Sequence, residues 1–319
     1  MQIKSNDPAT NFSICVIIPA FKVSKHIVHV VESIGPEVQK IIVIDDACPE
    51  SSGNVLVQIN SDPRLEVIYH KINMGVGGAV KTGYRRALEI GYDLVIKIDG
   101  DGQMDTSKIK EFVAPLIANQ ADYTKGNRFV DIESIRLMPK IRIIGNLILS
   151  FMAKLSSGQW HIFDPNNGFT AITRDALKKL PLQKIDDGYF FESDLLFRLY
   201  LVNARVKDIP MFAIYGVEKS NLKINRVLLE FPVKHFRNFL KRIVYRYYLK
   251  DFNLASIELP IGIFLIGFGF LAGLTSWVRG ILTDAPTATG TLVLIAMSVL
   301  AGLQLVLAFF SYDTQYSKD

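Results

Sequence analysis

Short apolar, β-branched runs alternate with helical periods along the first third of the chain. Ser13–Pro19 is such a run, and a helical pattern follows from Ser24 to Ile34. Lys40–Ile44 repeats the strand pattern and runs into Asp45-Asp46. Leu65–Tyr69 is a third strand, after which the turn Asn73-Met-Gly-Val-Gly-Gly78 opens a helix to about Ile90. Leu94–Ile98 is a fourth strand and Ser107–Asn119 a further helix. Strands alternating with helices at this interval predict an α/β domain, a mainly parallel sheet covered on both faces. Ligands of such sheets bind outside the carboxyl ends of the strands. Pro19-Ala20-Phe21, Asp45-Asp46 and Asp99-Gly-Asp101 all fall at those ends.

The pattern changes after about residue 250. From Leu259 to Val278 the polar side chains are Thr275 and Ser276, and from Thr291 to Phe310 they are Thr291, Ser298 and Gln304. Each run has the length that crosses a hydrocarbon core, roughly 20 residues. A turn around Asp284–Pro286 joins them, so a transmembrane hairpin at about 259–278 and 291–310 is expected. Lys234, Arg237, Lys241, Arg242, Arg246 and Lys250 precede the first span, whereas the intervening loop holds Arg279. The positive-inside rule then places the large N-terminal domain and the C-terminal tail in the cytosol, as in a bacterial inner membrane or its equivalent. The polar Met1–Asn11 has no apolar signal-peptide core.

Charge sharpens this picture. The net +5 is uneven: from Lys219 to Lys250 nine Lys and Arg stand against Glu230, a local +8. Phe231, Phe236, Phe239, Leu240, Val244, Tyr247 and Tyr248 interleave with them. The stretch is expected to form amphipathic helices on anionic lipid headgroups rather than a nucleic-acid arm. The expected domains are 1–225, catalytic and cytosolic; 226–256, juxtamembrane; and 257–319, the hairpin. Cys15 and Cys48 are expected as reduced thiols, and the five histidines show no zinc spacing with them.

The chemistry concentrates in Ile96-Lys97-Ile98-Asp99-Gly100-Asp101-Gly102-Gln103, where an apolar strand ends in two acids one residue apart. Carboxylates so placed can hold a hard divalent cation, Mg²⁺ or Mn²⁺, that neutralises a diphosphate. A calcium loop of the EF-hand type does not fit, since its sixth-position Gly falls on Met104 and its twelfth-position acid on Lys110. Gly75-Val-Gly77-Gly78-Ala79-Val80 lacks the last Gly of a dinucleotide fingerprint. Lys81-Thr82 has no Gly at the Walker spacing. That turn is read as a flexible loop and helix start near a nucleotide.

In their order along the chain these motifs resemble glycosyltransferase family 2, and within it the polyprenyl-phosphate glycosyltransferases similar to dolichyl-phosphate mannose synthase. The resemblance rests on Val16-Ile-Ile-Pro19-Ala-Phe21, Ile42-Val-Ile-Asp45-Asp46, Asn73-x-Gly75-x-Gly77-Gly78-Ala79, Asp99-Gly-Asp101-Gly-Gln103 and Gly126-Asn127-Arg128-Phe129, and covers roughly Ile14 to Lys223. The chain departs from the family pattern at Lys22-Val23-Ser24 and at Ala47-Cys48-Pro49-Glu50.

The resemblance implies a GT-A fold that binds a nucleotide-diphosphate sugar, UDP- or GDP-linked. Pro19, Ala20, Phe21, Asp45, Asp46, Gly75, Gly78, Lys81 and Asp99 would line the donor site, with Asp45 or Asp46 on the nucleoside. Asp99 and Asp101 would hold the metal and Gln103 would help place donor or metal. Arg128 and Arg142, in a cluster with Arg136 and Lys140, would grip the phosphate of a polyprenyl phosphate. Asp164-Pro-Asn-Asn-Gly168 matches the acceptor-side turn. Glu192-x-Asp194 opens an apolar helix where many inverting members place a base, and Asp194 joins Asp99, Asp101 and Gln103 in the expected catalytic set. A lipid phosphate is already an anion, so that base should matter less than the metal acids. The competing expectation is a non-processive transferase acting on a hydroxyl of a lipid-linked saccharide. A processive enzyme would carry Gln-x-x-Arg-Trp, and neither Trp160 nor Trp277 follows an Arg. A degenerate scaffold is disfavoured by the intact acid set. Whether the chain forms a homo-oligomer is left open.

Overall fold

A computed structural model describes residues 12–59, 61–130, 140–211 and 224–316. The chain divides into two compact units, Met1–Phe239 and Leu240–Asp319.

The first unit is built on a seven-stranded sheet: β1 Ile14–Ala20, β2 Lys40–Asp45, β3 Leu65–Tyr69, β4 Leu94–Lys97, β5 Tyr123–Asn127, β6 Thr170–Thr173 and β7 Val206–Pro210, in the order β3-β2-β1-β4-β6-β5-β7. β1 pairs parallel with β2 and β4, β2 with β3, and β5 with β7, while β6 runs antiparallel to β4 and β5. The strands and helices expected up to residue 119 are all present, with ends shifted by three residues at most. Not foreseen were the helices Ser52–Ile59, Lys140–Ser157 and Arg174–Lys179 and the strands β5 to β7. The antiparallel β6 is only four residues long, too short to show a strand period.

Alternation along each central strand feeds two cores. Val16, Ile18, Val43 and Ile96 pack on one face with α1 (Ile27–Glu32) and α4 (Ile109–Ile117). Ile17, Ile44 and Val95 pack on the other with α3 (Gly75–Ile90) and α7 (Phe191–Leu201). In sequence order α2 is Ser52–Ile59, α5 is Lys140–Ser157, and α6 is Arg174–Lys179. Phe169 stacks on Phe112 at 3.9 Å between ring centroids, which anchors the end of the 164–168 turn in the first core.

The second unit holds the end of α8 (Ile224–Val244), a π-helical turn Tyr245–Lys250, and the helices α9 (Leu254–Thr283) and α10 (Thr289–Tyr316). Asn253 and Ser256 form a capping box at the start of α9. Both helices are long and apolar enough to cross a membrane, and only 11% of the most apolar window of each is buried, unlike a core helix. They pack through small residues: a Cβ on Gly302 would stand 2.7 Å from the carbonyl oxygen of Gly262. Arg242 forks onto Asp313 at 2.6 and 2.9 Å, both fully buried, and the Tyr247 hydroxyl donates to the same carboxylate.

Candidate active site

The register aligns three strand ends, with Ala20 opposite Asp45 and Ile17 opposite Lys97. β1 finishes inside the sheet at Pro19 and Ala20, and Phe21 then emerges 38% exposed beside Lys22, whose φ is 58°. Tyr69, at the end of β3, is also exposed. Two flat rings on one sheet edge suit stacking on a nucleobase.

The paired acids are bound first of all to the backbone around them. Asp45 is 3% exposed, and its oxygens accept from the backbone N–H of Cys48 at 2.8 Å and of Gly53 at 2.7 Å. Asp46 is equally buried. It accepts from the N–H groups of Met74 and Gly75, each at 2.8 Å, and lies 2.7 Å from His70 Nδ1. Both acids therefore fill orphan donors at the starts of α2 and α3. These bonds take two acceptor positions of Asp45 and three of Asp46, so each acid shapes the loops around it and keeps acceptor capacity toward a nucleoside.

The glycine-rich turn is likewise not an open loop. Gly78 N–H donates to the Asp187 carbonyl at 3.1 Å. A Cβ on Gly75 would strike that same oxygen, and one on Gly77 would strike the Asp186 carbonyl. The glycines exist so that residues 186–187 can lie against α3. Lys81, expected at the donor, is buried, donates to the Ile185 carbonyl at 2.8 Å and pairs with Asp187. It is a fastening for the 185–188 loop.

Asp194 also belongs to that fastening. It is 5% exposed and accepts from Asp186 N–H at 3.0 Å, Arg198 Nε at 3.2 Å and Asn238 Nδ2 at 2.9 Å. Its oxygens thus serve three protein donors, which ties the acid to the 185–188 loop, to Arg198 and to Asn238. The acid of this helix that is linked to the 99–103 loop is Glu192, through Lys97.

Glu192 and Asp99 share one cation. Lys97 Nζ lies 2.7 Å from Asp99 Oδ1 and 3.1 Å from Glu192 Oε1. Burial opposes the charge on Lys97, yet the two carboxylates outweigh it and hold its pKa above that of free lysine. Gly168 lies directly behind, where a Cβ would collide with Asp99 Oδ2 and Lys97 Nζ. Asp101 Oδ1 accepts from Gln103 N–H at 3.0 Å, so Gln103 closes the acid loop through its backbone. Asp99 Oδ2 carries no hydrogen bond among the described residues. Among those residues no group of three or more His, Cys, Asp or Glu could enclose a metal. Two carboxylates with a spare oxygen fit Mg²⁺ or Mn²⁺, which keep water and take substrate phosphate oxygens.

Where the acceptor phosphate was expected, Arg128 Nε and Nη2 fork onto Asp164 at 2.7 and 3.0 Å. This planar, bidentate geometry is also the one that fits phosphate. Arg136 lies outside the described residues. Arg142 is in the first turn of α5, and its side chain too lies outside them.

Sequence reasoning missed a polar row beneath these loops. Lys97 and Lys125 both register with Thr170, and Lys125 with Asp208, giving Lys97–Thr170–Lys125–Asp208 across β4, β6, β5 and β7. Lys125 is fully buried and donates to the Asn167 carbonyl; burial pushes its pKa down to about 8. Asp208 accepts from Asn127 Nδ2 and Phe163 N–H, and burial pushes its pKa up. The available signal was Lys97 at the end of the otherwise apolar β4; Lys125, in Tyr-Thr-Lys-Gly-Asn, offered none.

The sequence model of glycosyl transferase family 2 matches residues 15–181, more than half of the chain. The UDP-N-acetylglucosamine–dolichyl-phosphate N-acetylglucosaminyltransferase of Methanococcus voltae is 28% identical over 234 residues, covering 69% of this chain and 92% of its own. The polyprenol monophosphomannose synthase of Mycolicibacterium smegmatis is 27% identical over 214 residues, 64% of this chain and 80% of its own. Glucosyl-3-phosphoglycerate synthase from Mycobacterium tuberculosis, crystallised with Mn²⁺, UDP-glucose and phosphoglyceric acid, matches with a TM-score of 0.55. At 18% identity over 74% of this chain and 81% of its own, that is a likeness of fold, the expected GT-A arrangement. The chain is a glycosyltransferase, a member of glycosyl transferase family 2.

Proposed function

We propose that the protein transfers a sugar from a UDP- or GDP-linked donor to a polyprenyl phosphate in one inverting displacement. The names of the two relatives above support this acceptor class. The observation that carries the reading is the state of the two acids on α7. Glu192 is tied to Lys97, and Asp194 to Asp186, Arg198 and Asn238. A hydroxyl acceptor needs a base that contributes about 10²–10⁴-fold. A phosphate monoester is an anion near neutral pH and needs none.

Asp99 and Asp101 would hold Mg²⁺ or Mn²⁺, which when bound supplies positive charge to the departing diphosphate. Phe21 and Tyr69 flank the nucleoside. Arg128, with Arg142 as second cation, takes the acceptor phosphate once Asp164 yields its place in the fork. The phosphate oxygen attacks the anomeric carbon, the bond to the diphosphate oxygen breaks, and the configuration inverts. Residues 1–225 serve as the cytosolic catalytic domain, 226–256 as the juxtamembrane segment on anionic headgroups, and 257–319 as the membrane hairpin.

The test offers the full-length protein in nanodiscs UDP- and GDP-sugars with Mn²⁺, together with polyprenyl phosphate or a lipid-linked sugar. A product on polyprenyl phosphate that mild acid cleaves is expected. An acid-stable glycoside formed only on the lipid-linked sugar would replace this reading with hydroxyl transfer.

A further inference from the structure

The polar row under the site joins its two halves. Lys97 reaches up to Asp99, the metal-side carboxylate, and to Glu192. Lys125 reaches up to the carbonyl of Asn167. Asn167 in turn donates from Nδ2 to Asp164 at 3.4 Å and accepts Phe169 N–H on Oδ1 at 2.9 Å, so its orientation sets the turn that holds Arg128. Both lysines are buried polar groups in the centre of a sheet. A buried ammonium tolerates few geometries, because any displacement of its partner leaves it without solvent or acceptor. The loops above are therefore indexed to the strands by the lysines beneath them. Thr170 separates the two lysines by one strand, and Gly168 leaves the space in which the acceptor turn touches Asp99.

We propose that Lys97 and Lys125 are positioning residues for opposite halves of the reaction, Lys97 aiming the carboxylate that receives metal and donor diphosphate, Lys125 fixing the turn that presents the acceptor arginine. This rests on the functional reading above for the identity of the two halves. Neither lysine touches reacting atoms; each acts through a loop.

The experiment compares full-length wild type, Lys97→Met and Lys125→Met. Binding of MnCl₂ with UDP and with GDP is titrated by calorimetry, KM is measured for donor and for polyprenyl phosphate, and amide hydrogen exchange is followed over 164–169. Lys97→Met is expected to weaken Mn²⁺–nucleotide binding at least tenfold, with acceptor KM and exchange within twofold of wild type. Lys125→Met is expected to raise acceptor KM and speed exchange of the turn at least tenfold, with Mn²⁺–nucleotide binding within twofold. Should either variant fail to fold, the Gln variant, which keeps one donor on a shorter stem, goes through the same measurements. Both substitutions moving both readouts alike, or neither moving any, overturns the inference. If wild type ignores polyprenyl phosphate, the function falls, while the Mn²⁺ titration and the exchange rates still decide the roles of the lysines.

Discussion

Gly168→Ala is a one-methyl probe of the site. No left-handed backbone is required at this position, so alanine adds no conformational strain and should return about 0.4–1 kcal/mol by restricting the unfolded chain. Its Cβ, however, collides with Asp99 Oδ2 and Lys97 Nζ. Lys97 is the less able to move, being buried in β4, so the Asp99 carboxylate must shift by roughly 1 Å, a misplacement that costs catalysis about 10²-fold. That is about 2.7 kcal/mol of transition-state stabilisation. Breaking a buried ion pair costs about 3–5 kcal/mol when nothing replaces it. Glu192 still holds Lys97 at 3.1 Å, so the net loss of stability should be smaller, about 1–3 kcal/mol. The assay is steady-state transfer across a Mn²⁺ series, with a thermal melt beside it. Gly145→Ala is the control: its Cβ meets open space in α5, and the helix should gain up to about 1 kcal/mol. If Gly168→Ala keeps kcat/KM within twofold and an unchanged Mn²⁺ midpoint, Asp99 does not carry the donor side.

Asp101→Ala should abolish transfer while circular dichroism and membrane association stay as in wild type; normal turnover would remove Asp101 from the metal site. Asp194→Ala should lower stability by about 3–5 kcal/mol, since it strips three donors of a buried acceptor, whereas Glu192→Gln should melt near wild type and shift the Mn²⁺ titration instead. Comparable melts for the two variants would contradict the division of labour on α7. His235, 2.7 Å from Ser156 Oγ and edge-on to Phe190, has its pKa pushed down by burial to about 4. Above pH 6.5 both folded and unfolded states keep it neutral; below that the unfolded chain takes the proton first, so about 3 kcal/mol of stability is lost between pH 6.5 and 4. Urea denaturation of wild type and His235→Gln at pH 7 and 4.5 checks this, and an undiminished acid loss in the variant assigns it elsewhere.

The sheet edge was legible because β-branched runs that stop at Pro19, Asp45 and Asp99 mark where strands end, a local property of the sequence. Which acid faces a ligand was not legible. Asp46 meets Gly75 across 29 positions and Asp194 meets Asn238 across 44, and no local period encodes either contact. An aspartate at a strand end can serve a ligand or an orphan backbone donor equally well, and only the fold shows the helix start waiting for it. The lysine row was hidden for a related reason. Lys97 and Lys125 come abreast only through β6, a four-residue antiparallel strand whose sequence Thr-Ala-Ile-Thr carries no turn or helix signature. With no local pattern to mark β6, the sequence supplied no strand to set between them.

The basic segment shows how a charge count and a charge distribution part company. Nine cations between Lys219 and Lys250 suggested attraction to anionic headgroups. Yet Lys234 is paired with Asp186 at 2.7 Å, Arg242 is buried on Asp313, and Arg246 is 6% exposed. What α8 does expose is a stripe of Leu229, Val233, Phe236, Leu240 and Val244, spaced by three and four residues along one helical face. Coulomb attraction to a leaflet fades within about 10 Å at 0.1 M salt, but burial of an apolar stripe is not screened. A helix that spends part of its charge inside the protein and keeps its apolar face outside should therefore hold a bilayer through buried area, with a weaker dependence on salt than its composition suggests.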